Sequence, residues 1–356
     1  MVSTPSLTAS GKGGCVVTIA DVARHAGVAP STVSYVLTGK RSISADTKSR
    51  VRESIRQLGY QPHASDRAAS AGRTNVIGLV LPLRAGTHLP AVMRFVTAAV
   101  TTARRYDMDL LLMTADDGAA GLRRAANSAQ VDGFLVMDVE MDDERVPLLR
   151  QLSKPSVLIG HPAAARGLTC VDLDFEAAGA KCVDHLADLG HRSIGFLGAP
   201  SAVYRRSTGF AHRTMNGFSA AAMRRGVAAT ALSVEGDHDS VLRATKALIR
   251  AHPSMTALVV HNEAALGWIT TCLRAAGRQV PGDVAVVAIC PDEVAEQTSP
   301  LLTSVRLPAE ELGRHAVDLL VAKLSGKQPP ALMLLPPRLS RRASTPDPAA
   351  HRGATG

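Results

Sequence analysis

Between residues 75 and 345, short apolar runs alternate with longer stretches whose apolar positions recur every three or four residues. The runs at 76–81, 109–113, 133–137, 156–160, 193–198, 257–261 and 284–290 read as strands. The amphipathic stretches at 90–106, 176–189, 263–276 and 309–324 read as helices. Near-continuous apolar strands separated by helices predict parallel sheets covered on both faces. The segment exceeds one ordinary layered sandwich, so the pattern predicts an α/β fold with two lobes.

The first part of the chain is patterned differently. In residues 18–37, TIADVARHAGVAPSTVSYVL, helical spacing joins Ile19, Val22, Ala23 and Ala26, breaks at Gly27, and resumes with Val33, Val36 and Leu37. Glycine suits a sharp inter-helix turn because it accepts positive φ at little cost. Two short helices with facing apolar stripes predict a helix-turn-helix whose second helix can meet DNA bases, although an ordinary helical hairpin has the same spacing. Thr18 is placed to cap the first helix, with Asp21 three positions on. A third helix is expected from Ser44 to Leu58, capped by Ser44, buried along Val51, Ile55 and Leu58, and ended by Gly59. The domains read as a disordered tail at 1–17, a DNA-binding region at 18–61, an Ala/Ser-rich hinge at 62–74, a two-lobed region at 75–345 and a second disordered tail at 346–356.

Charge sharpens this picture. The formal net charge is +9, and residues 12–75 hold ten basic against four acidic side chains. That asymmetry suits a polyanionic partner, although a solvated basic face would look alike. The five cysteines are odd in number and lack metal-ligand spacing, which indicates a reduced, cytoplasmic protein without a metal. No membrane-length apolar run or signal peptide is visible, which weighs against a secreted binding protein. Neither a P-loop nor a dinucleotide fingerprint is present, so no cofactor is expected.

Thr18-Ile19, Asp21-Val22-Ala23, Ala26-Gly27-Val28, Ser31-Thr32-Val33-Ser34 and Val36-Leu37, followed by Leu58-Gly59-Tyr60 and Pro62, resemble the N-terminal signature of the lactose-repressor (LacI/GalR) family of bacterial transcription regulators. Ile77-Gly78, Gly190-His191-Arg192, Leu335-Pro336-Pro337 and Arg342-Ala343-Ser344-Thr345 extend the resemblance. It implies a helix-turn-helix headpiece, a hinge helix that enters the minor groove, and a periplasmic-binding-protein-like effector core. The core chain would cross between lobes three times, with ligand bound at the carboxyl ends of strands. Homodimerisation is expected, because no leucine heptad follows the core.

The resemblance also implies site residues. Pro30, Ser31 and Tyr35 stand where family members read bases, with Thr18, Thr32 and Ser34 beside them. Most members carry Arg at the position of Tyr35; Arg grips a guanine edge bidentately, so the preferred operator should differ here. In the hinge, Arg67 fits the family pattern, while Ala69 replaces a leucine wedge and Asp66 adds negative charge. For the effector, Asn262 and Asp174 match family ligand positions, and both also suit capping or core roles. Arg213 lies one position from the usual arginine, Cys290 replaces an aspartate next to Pro291-Asp292, and His161 stands where Arg or Asp is common. These departures argue against an ordinary sugar. No catalytic constellation is visible, so an enzyme is not expected. Two alternatives stay open: a redox-sensing regulator using Cys290, and a binding protein without regulation.

Overall fold

Thr18 opens the first helix, α1 (Ile19–Ala26), with a reciprocal cap: its hydroxyl accepts from the Asp21 amide at 3.3 Å, and its own amide donates to the Asp21 carboxylate at 2.9 Å. Gly27 ends the helix in the left-handed region, at φ +64°. Helix α2 (Pro30–Thr38) follows at once, and α3 (Ala45–Leu58) is capped by Ser44 and ended by left-handed Gly59, as expected. Val22, Ala23, Ala26, Val33, Val51 and Tyr60 form one small core, with Ile55 and Leu58 packed against it. Ser54, also buried, escapes the apolar pattern. Its hydroxyl donates to the Arg50 carbonyl at 2.9 Å and lies 3.0 Å from His25 Nδ1.

The structure, a computed structural model, describes residues 17–38, 41–60, 73–81, 83–84, 87–114, 118–127 and 130–346. Most of the expected tails and hinge, including Arg67 and Ala69, lie outside them. The chain divides into two units, Met1–Thr74 and Asn75–Gly356.

The second unit contains two six-stranded sheets. The first is built from β1 (Val76–Val80), β2 (Asp109–Met113), β3 (Gly133–Val136), β4 (Ser156–Ile159), β5 (Cys170–Leu173) and β11 (Leu332–Leu335), in the order β11-β5-β4-β3-β1-β2 and entirely parallel. The second is built from β6 (Ser193–Gly198), β7 (Ala228–Ser233), β8 (Ala257–Val260), β9 (Ala285–Cys290), β10 (Thr303–Arg306) and β12 (Leu339–Ser340). Its order is β12-β10-β9-β8-β6-β7, and only β12 runs antiparallel. Every residue of β3, β6, β8 and β9 is buried, as strands covered on both faces require. β2 departs from that expectation. It is an edge strand, and Leu111 and Leu112 are exposed.

Helix α4 (Leu89–Arg104) packs on the first lobe. Helices α5 (Gly118–Asn127) and α6 (Val146–Gln151) follow β2 and β3. Helix α7 (Phe175–Asp188) packs on the second lobe along α9 (Gly209–Arg225), which α8 (Ser201–Arg205) precedes. Helices α10 (His238–Ala251), α11 (Glu263–Ala275) and α12 (Asp292–Glu296) complete that lobe, and α13 (Ala309–Leu324) returns to pair with α4. The chain thus crosses between lobes three times: after β5, after β10 and after β11. The closing Arg-Ala-Ser-Thr motif pins the end of the chain to the second lobe. Ser344 donates to the Val286 carbonyl at 2.6 Å, and Thr345 meets His185 at 2.9 Å.

Candidate functional site

In the first unit, Val33 faces the core while Pro30 and Ser31 are exposed at the start of α2 and Thr32, Ser34 and Tyr35 are half-buried. The first turn of α2 carries no acidic side chain; Pro30 has no amide proton and the Thr32 amide donates to the Ala29 carbonyl at 2.9 Å, which leaves the Ser31 amide and the positive helix pole to meet an anion. Thr18, by contrast, has both hydroxyl and amide committed to Asp21. Arg41 sets its guanidinium 5.9 Å from the centre of the Tyr35 ring, a cation-π partner that helical spacing did not single out. Arg24 and Arg50 pair with Asp21 and Asp46 along their own helices. Among the described residues, Arg41, Lys48 and Arg52 have no acidic partner, which leaves them available to phosphates.

In the second unit, the carboxyl ends of strands from both lobes surround a cavity of about 210 Å³. The first lobe contributes Leu81 after β1, Met137 and Asp138 after β3, Gly160 after β4 and Asp172 of β5, with Ala91, Val92 and Phe95 from the first turns of α4. The second contributes Phe175, Val203, Phe210 and the His261-Asn262-Glu263 sequence after β8. Backbone hydrogen bonds stitch the lobes beside the cavity: Met141 donates to the Ser207 carbonyl at 2.8 Å and Gly209 to the Val139 carbonyl at 3.0 Å.

The charges around the cavity are paired. Arg84 reaches Glu140 at 2.5 Å and Asp138 at 3.4 Å, and Arg206 approaches Asp138 from the other lobe at 4.0 Å. Glu263 of the second lobe is held by His88 and Arg94 of the first, each at 3.3 Å. Burial pushes the Asp172 carboxyl up, opposed by His161 at 3.3 Å. Desolvation pushes buried His261 down to about 4, so it is neutral at ordinary pH. Its ring centre lies 5.8 Å from Phe175 and 5.6 Å from Phe210.

Only Asn262 of the six effector residues expected from the sequence lines this cavity, and its amide is already engaged: it donates to the Val234 carbonyl at 2.6 Å and accepts from the Ala264 amide at 3.1 Å. Asp174 caps α7 through the Ala177 amide, an alternative visible in advance because an amphipathic helix begins right after it. His161 sits behind Asp172. Arg213 packs against Gly209, half-buried, with Nη1 lacking a hydrogen-bond partner. Asp292 binds Arg342 at 2.9 Å and Ser304 at 3.2 Å, which ties it to the closing motif instead of the cavity. Cys290 is fully buried in the second lobe's core, where desolvation pushes its thiol up. A thiolate is disfavoured there, and a redox role loses its basis. The sequence reading missed Asp138, Asp172, His261 and Glu263. The last two flank Asn262, and Asp172 lies two residues before Asp174.

A lacI-family bacterial regulatory protein domain matches residues 18–63, and a periplasmic binding protein-like domain matches residues 183–345. The chain carries a lacI-family DNA-binding domain followed by a periplasmic binding protein-like domain. Catabolite control protein A of Priestia megaterium is 29% identical over 337 residues, covering 92% of this chain and 99% of that protein. The HTH-type transcriptional regulator CelR of Thermobifida fusca is 29% identical over 322 residues, covering 87% and 92%. Among solved structures, a transcriptional regulator CelR–cellobiose complex has a TM-score of 0.66 at 27% identity, covering 92% of this chain and 99% of that one. A lac repressor dimer bound to operator and the anti-inducer ONPF shares the fold, with a TM-score of 0.78 at 22% identity and the same coverage. With that DNA-binding domain and these relatives, the protein is a DNA-binding transcription regulator. Among the described residues, no helix is long and apolar enough to cross a membrane, and no cluster of side chains could hold a metal ion.

Proposed function

We propose that this regulator acts as a cytoplasmic homodimer, represses transcription at a near-palindromic operator, and responds to a small molecule held between its lobes. One observation carries the reading: a chain with a helix-turn-helix also builds a cavity from the strand ends of two lobes that three crossings join. A ligand that prefers one lobe arrangement shifts the population toward it and so alters the hold on DNA. The lac repressor solved as a dimer on operator, and CelR solved with cellobiose, support the dimer, DNA and effector parts by analogy. Exposed Leu111 and Leu112 on the β2 edge, with Leu89 and Met93 on α4, supply apolar surface for a second copy.

Selection from random DNA pools tests the proposal. An enriched site, with affinity that falls steeply as salt rises, is the expected result. Without either, the chain is a binding protein without regulation. Tyr35→Ala is expected to cost about 1–3 kcal/mol of discrimination at one base in each half-site, while non-specific binding stays nearly unchanged. Binding across single-base operator variants measures this. An unchanged preference profile would leave Tyr35 a packing residue and assign specificity to Ser31 or to DNA shape.

A further inference from the structure

We infer that the interlobe cavity takes a small uncharged aromatic or heteroaromatic ring, packed against Phe175 and Phe210 and hydrogen-bonded at one edge by His261. The inference rests on the effector-binding reading above and names the chemical class of that effector.

Aromatic side chains are scarce in this chain, which has six Phe among 356 residues. Three of the six, Phe95, Phe175 and Phe210, nevertheless line this one cavity. Phe175 and Phe210 lie 5.7 Å apart and tilted by 46°, and His261 stands edge-on to Phe210 at 89°. Such a wall offers ring faces and edges at the separations aromatic pairs prefer.

The polar lining is occupied from within the protein. Asp138 answers Arg84 and Arg206, Glu263 answers His88 and Arg94, and Asp172 answers His161. The Asn262 amide is bonded on both its oxygen and its nitrogen. A sugar would bring many hydroxyls into a site with few open partners, and each one left unsatisfied is costly. A charged ligand would find no spare countercharge in the lining. Arg213, whose Nη1 is unbonded, is turned against Gly209 and does not line the cavity.

Outside these ion pairs and hydrogen bonds, one polar side chain of the lining stays open among the described residues. His261 is 7% exposed, and its Nδ1 is buried without a hydrogen-bond partner. Held neutral by desolvation, the imidazole can donate or accept according to its tautomer, so a single heteroatom on a ring suffices to satisfy it. Size agrees with a single ring. An apolar cavity of roughly 150 Å³ is known to admit benzene; about 210 Å³ leaves room for a substituted ring and too little for a disaccharide.

Calorimetry on the full-length protein with benzamide, phenol, benzoate, glucose and cellobiose tests this. Benzamide or phenol should bind, benzoate about tenfold more weakly than benzamide, and the two sugars not measurably. His261→Phe should weaken the ring ligand about tenfold, by loss of one hydrogen bond. Phe210→Leu should weaken it roughly threefold to tenfold. If His261→Phe does not fold, Phe210→Leu and the unmodified protein still decide. Tighter binding of glucose, cellobiose or benzoate than of benzamide overturns the inference, as does absence of ring binding or affinity unchanged in both variants. Binding to the selected operator is measured on the same preparation. Ring compounds failing while operator binding persists refutes only the ligand class. Operator binding failing while ring compounds bind refutes the regulator reading and upholds the ligand class.

Discussion

Asp143→Ala is expected to destabilise the two-lobed unit by about 3–5 kcal/mol, because it strands a buried guanidinium. The Arg145 side chain is 2% exposed and that of Asp143 3%. Arg145 Nε donates to Asp143 at 2.8 Å and Nη2 at 2.6 Å, while the carboxylate also accepts from the amides of Arg145 and Glu140. Arg145 Nη1 already has no hydrogen-bond partner, so nothing nearby can take over from Asp143. Burial alone would raise the Asp143 carboxyl, but the Arg145 hydrogen bonds and charge outweigh it and hold it below its usual 3.8. A lowered folded-state value means stability present above the unfolded-state value and lost as the pH falls through the acid range. Thermal melts from neutral to acid pH should show that loss in the parent and less of it in Asp143→Ala. Replacing both partners by apolar residues should recover part of the stability, since no charge is then left unpaired. The cavity should suffer as well. Arg145 Nη2 holds the Asp138 carbonyl at 2.9 Å, and Asp138 adopts a left-handed backbone at φ +53° on the cavity wall. A melt that stays within about 1 kcal/mol of the parent would show that water replaces the pair freely.

The repeating apolar pattern made most of the core strands legible, because β3, β6, β8 and β9 are buried on both faces. Weaker patterns hid the others. β5 carries Asp172 in its interior, β10 is short and mixed, and β7 and β11 are half-exposed edges. β2 was found but read as interior, since a run of leucines looks the same at an edge as at a centre. The DNA-facing helix was legible because caps, turn and stripe all act within a few residues. The cavity was not. Its polar residues come from loops far apart in sequence, such as His88 beside Glu263 and Arg206 beside Asp138, and local spacing cannot report that pairing. Family-position arguments brought in Asp174 and Asp292, whose local duties as a helix cap and a partner of Arg342 keep them out of the cavity.

Gly217→Ala should destabilise the protein by about 3 kcal/mol or more, and Gly267→Ala should stabilise it by up to about 1 kcal/mol, although both replace a glycine within a helix. In a helix interior alanine is the better residue, so propensity favours both changes equally. Packing separates them. A methyl on Gly217 of α9 would lie 1.9 Å from the Glu176 carbonyl oxygen of α7, and one on Gly179 of α7 would lie 2.2 Å from the Thr214 carbonyl oxygen of α9. Both obstacles are backbone, which cannot rotate aside, so the two helices would have to separate. At Gly267 of α11 nothing lies within 4 Å, and the position is exposed. The α7–α9 contact also sets the aromatic wall, since Phe175 begins α7 and Phe210 lies in the first turn of α9. Moving these helices apart should therefore weaken ligand binding in Gly217→Ala, while Gly267→Ala retains the parent affinity. Chemical denaturation of both variants, followed by ligand titration under conditions where each is folded, measures the two effects. If Gly217→Ala proves as stable as Gly267→Ala, helix propensity outweighs the close approach, and the α7–α9 spacing is not what holds Phe175 against Phe210.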